Sequence, residues 1–593
     1  MNKNIVIFDV DGTLTESTMT IKDDMIDVLR QLKHKNYDLA IVSGGTFTKL
    51  SSQIQEKNMD LFKYIFAENG TTCVKHNKLF EVNKMTGHIR EESIQRIINF
   101  VLRYIANLEL PYKRGTFIDF RNGMMYVTPI GANCSYLERL DFIKYDQEHN
   151  IRKQMIEALE KEFADLDFSF LLGGSIGIGI HPKKWDKTFC LNYLEGEKYE
   201  NLYFFGDRVE PDGNDYCLYN HPDIIGFGTS GPEETQKILN SLFLKERTSF
   251  EELKNRIETE DVDINWDYVK AYEYEDLINY DQLVESNCDF SKIAIVKLNG
   301  GLGTTMKCVG PKAIVKVKND LSFLEIIINQ IRVLNKKHNC QVPLILMNSY
   351  NTDSDPVMNK IIEDCQDVKI LRFNQSKIPR IDVKSGKPMN LITEDKTSYC
   401  PPGTGDFYES LLYSDIYPEL IKMNVKHLFV SNIDNLNATP CPKLVKYLQG
   451  NKNLEFGIEV TPKTELDVKG GTFIDYQGKT KLLELAMVPE DHLNEFYSIE
   501  KFKTFNTNNI WLNLEKMATV YKLDLLKNYK TVNDNKVMQI ESVIGSAINN
   551  FDQTVIFMVG RDRYKPVKKI EDLERIKNEY TLDDNFILQK LNK

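Results

Sequence analysis

Two aspartates one residue apart, Asp9 and Asp11, close the apolar run Ile5-Val-Ile-Phe8 and lead into Gly12-Thr13. Residues two apart in a strand share a face, and in the turn that follows both carboxylates can aim at one phosphorus. Alone the pair is weak, because surface strands often end in aspartates. Far along the chain, Phe204-Phe-Gly-Asp207 and Gly213-Asn-Asp215 supply a second acidic strand end, suited to a hard metal ion. A third constellation follows the apolar run Ile293–Leu298, where Asn299-Gly-Gly-Leu-Gly303 continues to Gly310-Pro-Lys312. Glycines in such a turn let backbone N–H groups approach phosphates that a Cβ would block. Lys312 adds a cation placed to neutralise a triphosphate. Proline after Gly310 rules out a Walker A loop, and the spacing is not GxGxxG either.

The elements that must position these residues alternate between strand-like runs and helical stretches in both halves, the pattern of α/β architecture. In the first half, Ile5–Phe8, Leu39–Val42 and Leu202–Phe205 read as core strands, with a helix over Asp23–Lys35. Residues 84–183 have another texture, with helical patterns near 92–106 and 150–164 and strands near 116–128 and 168–180. They read as an α+β cap inserted into a core of residues 1–83 and 184–245. From about 245 to 290 the chain turns charged, aromatic and poorly periodic. A second α/β unit, 246–593, takes its first strand from Ile293–Leu298.

The bulk numbers narrow the function classes. A chain of 593 residues exceeds one hydrophobic core. A net charge of −11 gives no support to nucleic-acid or anionic-membrane binding, so neither is an expected partner. Ten cysteines without a CxxC pair argue against a disulfide framework or a zinc site, and fit a reducing, cytoplasmic setting. No apolar run is long enough to span a bilayer, and a strand beginning at Ile5 leaves no room for a targeting peptide. The glycosylation patterns at Asn133, Asn374 and Asn437 are therefore taken as chance.

From about 246 to 580 the sequence resembles the eukaryotic UDP-glucose pyrophosphorylases. The resemblance is carried by Lys297-Leu-Asn-Gly-Gly-Leu-Gly-Thr304, Gly310-Pro-Lys312, Leu346–Asp353, Phe373-Asn-Gln-Ser376, Pro401-Pro-Gly-Thr-Gly-Asp406, Val430–Asn435, Asp467-Val-Lys-Gly-Gly-Thr472, Phe505-Asn-Thr-Asn-Asn509 and Pro566-Val-Lys568. It implies a Rossmann-like, GT-A-like nucleotidyltransferase domain and a Mg²⁺-dependent attack of a sugar phosphate on the α-phosphorus of UTP. By the family pattern Leu298, Asn299, Gly300 and Gly301 hold the nucleotide, and Gln375 and Gly403 face the uracil. Lys312 and Lys568 neutralise phosphates, and Asp434 serves metal and ribose. Asn432, Lys469, Asn506, Asn508 and Asn509 line the sugar-phosphate side. Thr404 stands where the family usually has histidine. A hydroxyl there can hydrogen-bond but cannot bring charge to a phosphate, which bears on sugar affinity and selectivity. The family's C-terminal β-helix is expected to be absent, and with it the family's mode of assembly.

From about 1 to 243 the sequence resembles the haloacid-dehalogenase superfamily and, within it, the eukaryotic phosphomannomutases. Ala67-Glu-Asn-Gly70, Lys113–Gly123, Pro129-Ile-Gly131 and Trp185-Asp-Lys187 join the aspartate motifs in carrying it. The resemblance implies a Rossmann-like core with Asp9 as the nucleophile that forms an aspartyl-phosphate and Asp11 as general acid/base. Asp9, Asp207, Asp215 and the Asp11 carbonyl are the expected Mg²⁺ region, with Lys187 offsetting charge and Ser43 gripping phosphate. Of six positions that hold the sugar phosphate in the family, Arg121 and Arg139 are kept. Thr18 and Ala132 replace arginines, and Gly177 and Gly179 replace serine and aspartate. Charge-assisted hydrogen bonds contribute about 1.5–3 kcal/mol each, so two lost arginines thin the grip on a distal phosphate by several such units. Three readings stay open for this half: a phosphohexomutase with a rebuilt pocket, a small-molecule phosphatase, and an idle assembly module. Family members dimerise through the cap, so a homodimer is expected there. The two resemblances together imply consecutive steps, hexose 6-phosphate to hexose 1-phosphate to a UDP-sugar, with UTP favouring glucose over mannose.

Overall fold

The computed structural model describes residues 4–260, 264–302, 306, 310–389, 396–520, 522–532 and 534–591. The chain divides into two compact units, Met1–Lys245 and Glu246–Lys593.

The first unit is built on a seven-stranded sheet. Its strands are β1 (Asn4–Phe8), β2 (Tyr37–Val42), β3 (Tyr64–Ala67), β4 (Thr72–Lys75) and β5 (Lys78–Val82), then β10 (Asn201–Gly206) and β11 (Ile224–Gly228) after the cap. The order is β11-β10-β1-β2-β3-β4-β5, parallel from β11 to β3 and antiparallel beyond. Ile5 to Phe8 are fully buried, as a strand covered on both faces requires. The chain runs from β1 to β2 on one side and returns through β10 on the other. The crevice beyond the carboxyl ends of β1, β2 and β10 is therefore a topological switch point, where ligands bind open α/β sheets.

The cap carries β6 (Ile118–Phe120), β7 (Met125–Val127), β8 (Phe168–Gly173) and β9 (Gly177–Pro182) in an antiparallel sheet of order β6-β7-β9-β8. Ile94, Ile97, Val101 and Ile105 of the helix Glu91–Asn107 recur at helical spacing and pack on Met125, Val127, Ile178 and Ile180. One cap helix, Tyr136–His149, has no periodic signal in the sequence. It buries only Phe142 and Asp146, leaves Leu137 71% exposed, and owes its start to a capping box between Ser135 and Glu138.

The second unit centres on an eight-stranded mixed sheet. Its strands are β12 (Ile278–Asn279), β13 (Ile293–Leu298), β14 (Leu344–Asn348), β15 (Ile370–Asn374), β16 (His427–Asn432), β17 (Phe456–Pro462), β18 (Thr504–Asn513) and β19 (Thr554–Met558). The order is β12-β19-β17-β18-β16-β13-β14-β15, with β13 parallel to both neighbours and β18 antiparallel to both of its own. The helix Phe323–His338, boxed by Ser322 and Glu325, buries Phe323, Leu324 and Ile326–Ile328 in the main core. Register slips once where it matters. Glu459 pairs with Asn509 but Val460 with Asn506, so Thr507 and Asn508 bulge out of β18.

The poorly periodic stretch after 245 is not irregular throughout. Phe250–Thr259 is a helix capped by Ser249, and its only buried residue is Ile257. Half-buried Phe250 and Leu253 join Ile257 at helical spacing and pack on the cluster of Ile378, Ile381 and Ile540, and Arg256 donates to the Leu523 carbonyl at 2.8 Å. Among the described residues no helix is long and apolar enough to cross a membrane.

Candidate active sites of the two units

In the first unit the switch point gathers three carboxylates around one ammonium. Asp9 leaves the end of β1, Asp207 the end of β10, and Asp215 lies a turn later. Lys187 is fully buried and donates to Asp9 Oδ1 and Asp215 Oδ1, both at 2.6 Å. One oxygen from each of Asp9, Asp207 and Asp215 falls within 4.8 Å of the others. Burial alone would push the Lys187 ammonium toward neutrality, but Asp215 and Asp9 outweigh it and hold it charged. Arg208 Nε adds a second cation 3.8 Å from Asp207 Oδ2, and three carboxylates against two cations still leave negative charge in excess. Burial, with repulsion from Asp215 and Asp207, pushes Asp9 up to about 8, and burial with Asp215 pushes Asp207 up to about 6. The buried Oδ1 of Asp207 and Oδ1 of Asn214 have no hydrogen-bond partner. An all-oxygen set with excess negative charge and unused acceptors fits a hard divalent cation such as Mg²⁺. Gly12 permits the assembly: its φ is +87°, and any Cβ there would overlap the Asp207 carboxylate.

Asp11 is turned away from this group. Its Oδ1 accepts from Gln53 Nε2 at 2.8 Å and from the Thr18 amide at 2.6 Å, and its Oδ2 forms an ion pair with Lys49. Burial would raise the Asp11 carboxyl, yet Lys49 and these hydrogen bonds outweigh it and hold it below the usual carboxylate range. The Asp11 side chain thus stands apart from the carboxylates that meet at the cation position. Both side chains line a chamber of about 300 Å³ with Ser43, Arg121, Arg139 and Tyr126. Ser43 Oγ accepts from the Gly45 amide at 3.1 Å.

Thr18, Ala132 and Gly179 line the chamber without adding charge. Gly177 lies against the Tyr126 ring, and a Cβ there would overlap it. Tyr126 donates to the Gly173 carbonyl at 2.7 Å, and the Arg121 guanidinium lies 4.8 Å from its ring centroid. Arg121 is already committed, donating to Asp119 and to the Gly44 carbonyl, both at 2.7 Å. Arg139 has no ion pair among the described residues. Tyr126 and Lys49 were not singled out from the sequence; neither belongs to an acidic or glycine-rich motif.

In the second unit the matching crevice lies beyond β13, between β14 and β16. Asn299 is fully buried; its Nδ2 donates to Asn348 Oδ1 at 2.8 Å, while its own Oδ1 has no partner. Gly300 faces the Gln375 amide so closely that any Cβ would overlap it, which brings Leu298–Gly301 and Gln375 together. Lys312 donates to Asp434 Oδ2 at 2.7 Å, and the buried Asp434 Oδ1 has no partner. A carboxylate balanced by one lysine, with one oxygen free, can accept a divalent cation beside a phosphate. Residues 303–305 and 307–309 of the glycine-rich turn lie outside the described residues.

The bulge in β18 presents Asn508, at φ +61°, whose Nδ2 donates to Asn432 Oδ1 at 3.2 Å; its Oδ1 is buried and unpartnered. Asn506 and Asn509 flank it, and Asn509 Nδ2 donates to Glu459 at 3.1 Å. Thr404 is used locally, its hydroxyl accepting from the Ile544 amide at 3.2 Å. Gly403 precedes it at φ +87°. Lys469 is exposed on its loop. Lys568 acts on Glu484, an acid the sequence reading missed. Burial pushes the Glu484 carboxyl up to about 7 against the pull of Lys568. Its signal was an acid within the apolar run Leu482-Leu-Glu-Leu-Ala-Met487.

Comparison with known proteins finds a family for each unit. Residues 247–592 match the family model described as UTP--glucose-1-phosphate uridylyltransferase, and residues 25–245 match eukaryotic phosphomannomutase. The uridylyltransferase of Solanum tuberosum is 42% identical over 369 residues, 59% of this chain and 77% of its own length. That of Musa acuminata is 40% identical over 368 residues, 59% of this chain and 78% of its own. The UDP-glucose pyrophosphorylase of Leishmania major superposes with a TM-score of 0.52 at 28% identity, over 58% of this chain and 78% of that one. With more than half its length matched by the first of these models, the chain belongs to the UTP--glucose-1-phosphate uridylyltransferase family and carries a eukaryotic phosphomannomutase domain ahead of it.

Proposed function

We propose that residues 246–593 form UDP-glucose and pyrophosphate from UTP and glucose 1-phosphate, and that residues 1–245 supply the hexose 1-phosphate by phosphohexomutase chemistry. The observation that carries the first activity is the Lys312–Asp434 pair, set at the switch point with one carboxylate oxygen unused. A phosphate oxygen of the sugar phosphate attacks the α-phosphorus of UTP, and the bond from that phosphorus to the bridging oxygen breaks as pyrophosphate leaves. The nucleophile is already ionised, so no proton transfer or covalent intermediate is needed, and the chain works by positioning and charge. Leu298–Gly301, Gln375 and Gly403 would hold the nucleotide. Lys312 and Lys568 would balance the phosphates, and Asn432, Lys469, Asn506, Asn508 and Asn509 would orient the sugar phosphate. Mg²⁺ held by Asp434 would supply further neutralisation. Lys312→Ala should lower kcat for UDP-glucose formation by at least about a thousandfold, the scale of losing a charge aimed at the transition state. Undiminished turnover would remove Lys312 from the site.

In the first unit Lys187 holds Asp9 Oδ1, leaving Oδ2 to attack a phosphate ester. Asp11 would pass the proton to or from the sugar oxygen, Ser43 would grip the phosphate, and Arg121 and Arg139 would hold the sugar end. Mg²⁺ at Asp9, Asp207 and the Asp11 carbonyl, with Asp215 behind, would neutralise the transferred group. A phosphatase is the second reading, favoured by one observation: Arg121 is already spent on Asp119 and Gly44, leaving little to retain a bisphosphate. Asp9→Asn should abolish conversion of glucose 6-phosphate while UDP-glucose formation continues. Release of inorganic phosphate without glucose 1-phosphate would favour hydrolysis, and no turnover by the wild type would leave an assembly module. Exposed Tyr136 and Leu137 on the cap support a homodimer through that face, which sedimentation of Leu137→Lys tests. Nine described cysteines are all free, in keeping with a cytoplasmic site of action.

A further inference from the structure

The second unit buries an ion pair that none of the site residues above accounts for. Glu459 on β17 is fully buried, and each carboxylate oxygen takes two donors. Oε1 accepts from Arg563 Nη2 at 2.7 Å and Trp511 Nε1 at 3.0 Å; Oε2 accepts from Arg563 Nε at 2.9 Å and Asn509 Nδ2 at 3.1 Å. Arg563, buried in turn, also donates to the Thr439 carbonyl at 2.9 Å.

Three pieces of the site meet at this pair. The first is the β18 bulge: Thr507 Oγ1 donates to the Glu459 carbonyl at 2.6 Å and Asn509 to its carboxylate, so both flanks of Asn508 are tied to one residue. The second is the turn after β16, where Asn435 Nδ2 donates to the Arg563 carbonyl at 3.3 Å. The third is the segment leading to Lys568, laid along that turn by Lys565 N to Asn435 Oδ1 at 3.0 Å and Val567 N to the Asp434 carbonyl at 3.1 Å. Stability alone is a poor reason for such a pair. Replacing a buried, bidentate ion pair by apolar side chains of like volume is often neutral or stabilising. What apolar side chains cannot reproduce is direction: a planar fork on a carboxylate fixes both partners in angle as well as distance.

We infer that Glu459 and Arg563 are positioning residues for uridylyl transfer, a joint that sets Asn508, Asp434 and Lys568 in register with one another. Neither needs to touch substrate. The inference rests on the uridylyltransferase reading, and wild-type transfer is measured first; its absence would strike that reading and not the joint.

The test is the double substitution Glu459→Leu with Arg563→Met, which removes both charges together and leaves no buried ion unpaired. The variant should fold, with a cooperative thermal transition near the wild type's. Its kcat for UDP-glucose formation should fall by about 30- to 100-fold, the scale of a misplacement near 1 Å. The KM for UTP should change by less than about threefold, because Asn299–Gly301, Gln375 and Gly403 lie on other elements. If the double variant does not fold, Arg563→Lys decides. It keeps the charge but loses the fork, and kcat should fall about tenfold with the KM for UTP unchanged. A folded double variant, or a lysine variant, with kcat within threefold of wild type would reduce the pair to packing and overturn the inference.

Discussion

Asp9 and Asp11 are separated by one residue and receive opposite electrostatic treatment. Asp9 shares a dry site with Asp207 and Asp215 and is pushed up, whereas Asp11, against burial, is held down by Lys49, Gln53 and the Thr18 amide. A low carboxyl suits a proton acceptor, since it stays ionised down to acid pH. Lys49→Met removes the ammonium, so the Asp11 carboxyl should rise. Below its pKa Asp11 carries a proton and accepts none; the Asp11 step of the acid limb should therefore move to higher pH, toward the limb set by Asp9, which must itself be ionised to attack. A pH–rate profile checks this, and an unmoved acid limb would mean that another group sets it. The aspartates themselves were legible, because strand geometry places neighbours two apart on one side of the chain. Lys49 was not: the contact spans 38 residues and closes only when the helix Phe47–Ile54 meets the turn that follows β1.

At the scale of elements, buried parallel strands were the easiest to read. β1, β2, β10 and β13 are runs of β-branched and aromatic residues bounded by chemistry-bearing turns. Tyr136–His149, which lacks a buried stripe, was not: it rests on its capping box and on Phe142. The short stripe of Phe250–Thr259 was lost among the charges around it. The bulge at Thr507–Asn508 was equally hidden. The asparagines that mark it are ordinary strand-end residues until Glu459 opposite fixes the register. Glu484 belongs to this scale too, since the turn after Lys479–Leu483 half-buries it and draws its carboxyl out of water. Its carboxyl rises from 4.5 to about 7 on folding, so the native state binds the extra proton. That contribution is fully present below pH 4.5 and is lost as pH rises through 7. Glu484→Gln should flatten the slope of stability between pH 5 and 7. Above pH 7 it should stabilise the second unit by on the order of 1–3 kcal/mol. Urea denaturation at pH 5 and 8 measures both, and equal slopes in the two proteins would contradict the burial argument.

At the scale of the whole molecule, each unit has hydrophobic clusters of its own. The clusters around Ile5, Ile94 and Ile130 draw on residues up to 224, and those around Phe290, Ile264 and Ile257 on residues from 250 onward. Each unit has a sheet, its own switch point and its own charged cluster, so each meets the physical definition of an independent domain. Separately produced chains of 1–245 and 246–593 should therefore fold. The second should form UDP-glucose from glucose 1-phosphate with kcat within about twofold of the intact protein, because its sheet, its switch point and its charged cluster all lie within 246–593. The informative comparison starts from glucose 6-phosphate and UTP. An equimolar mixture of the two pieces must release its intermediate to solution, and added unlabelled glucose 1-phosphate will dilute label passing through it. Equal dilution in the intact chain would mean that fusion brings only equal dosage of two enzymes. Resistance to dilution would show that linking two self-sufficient folds also retains the intermediate. An insoluble or inactive 246–593 would refute the independence read from the separate cores.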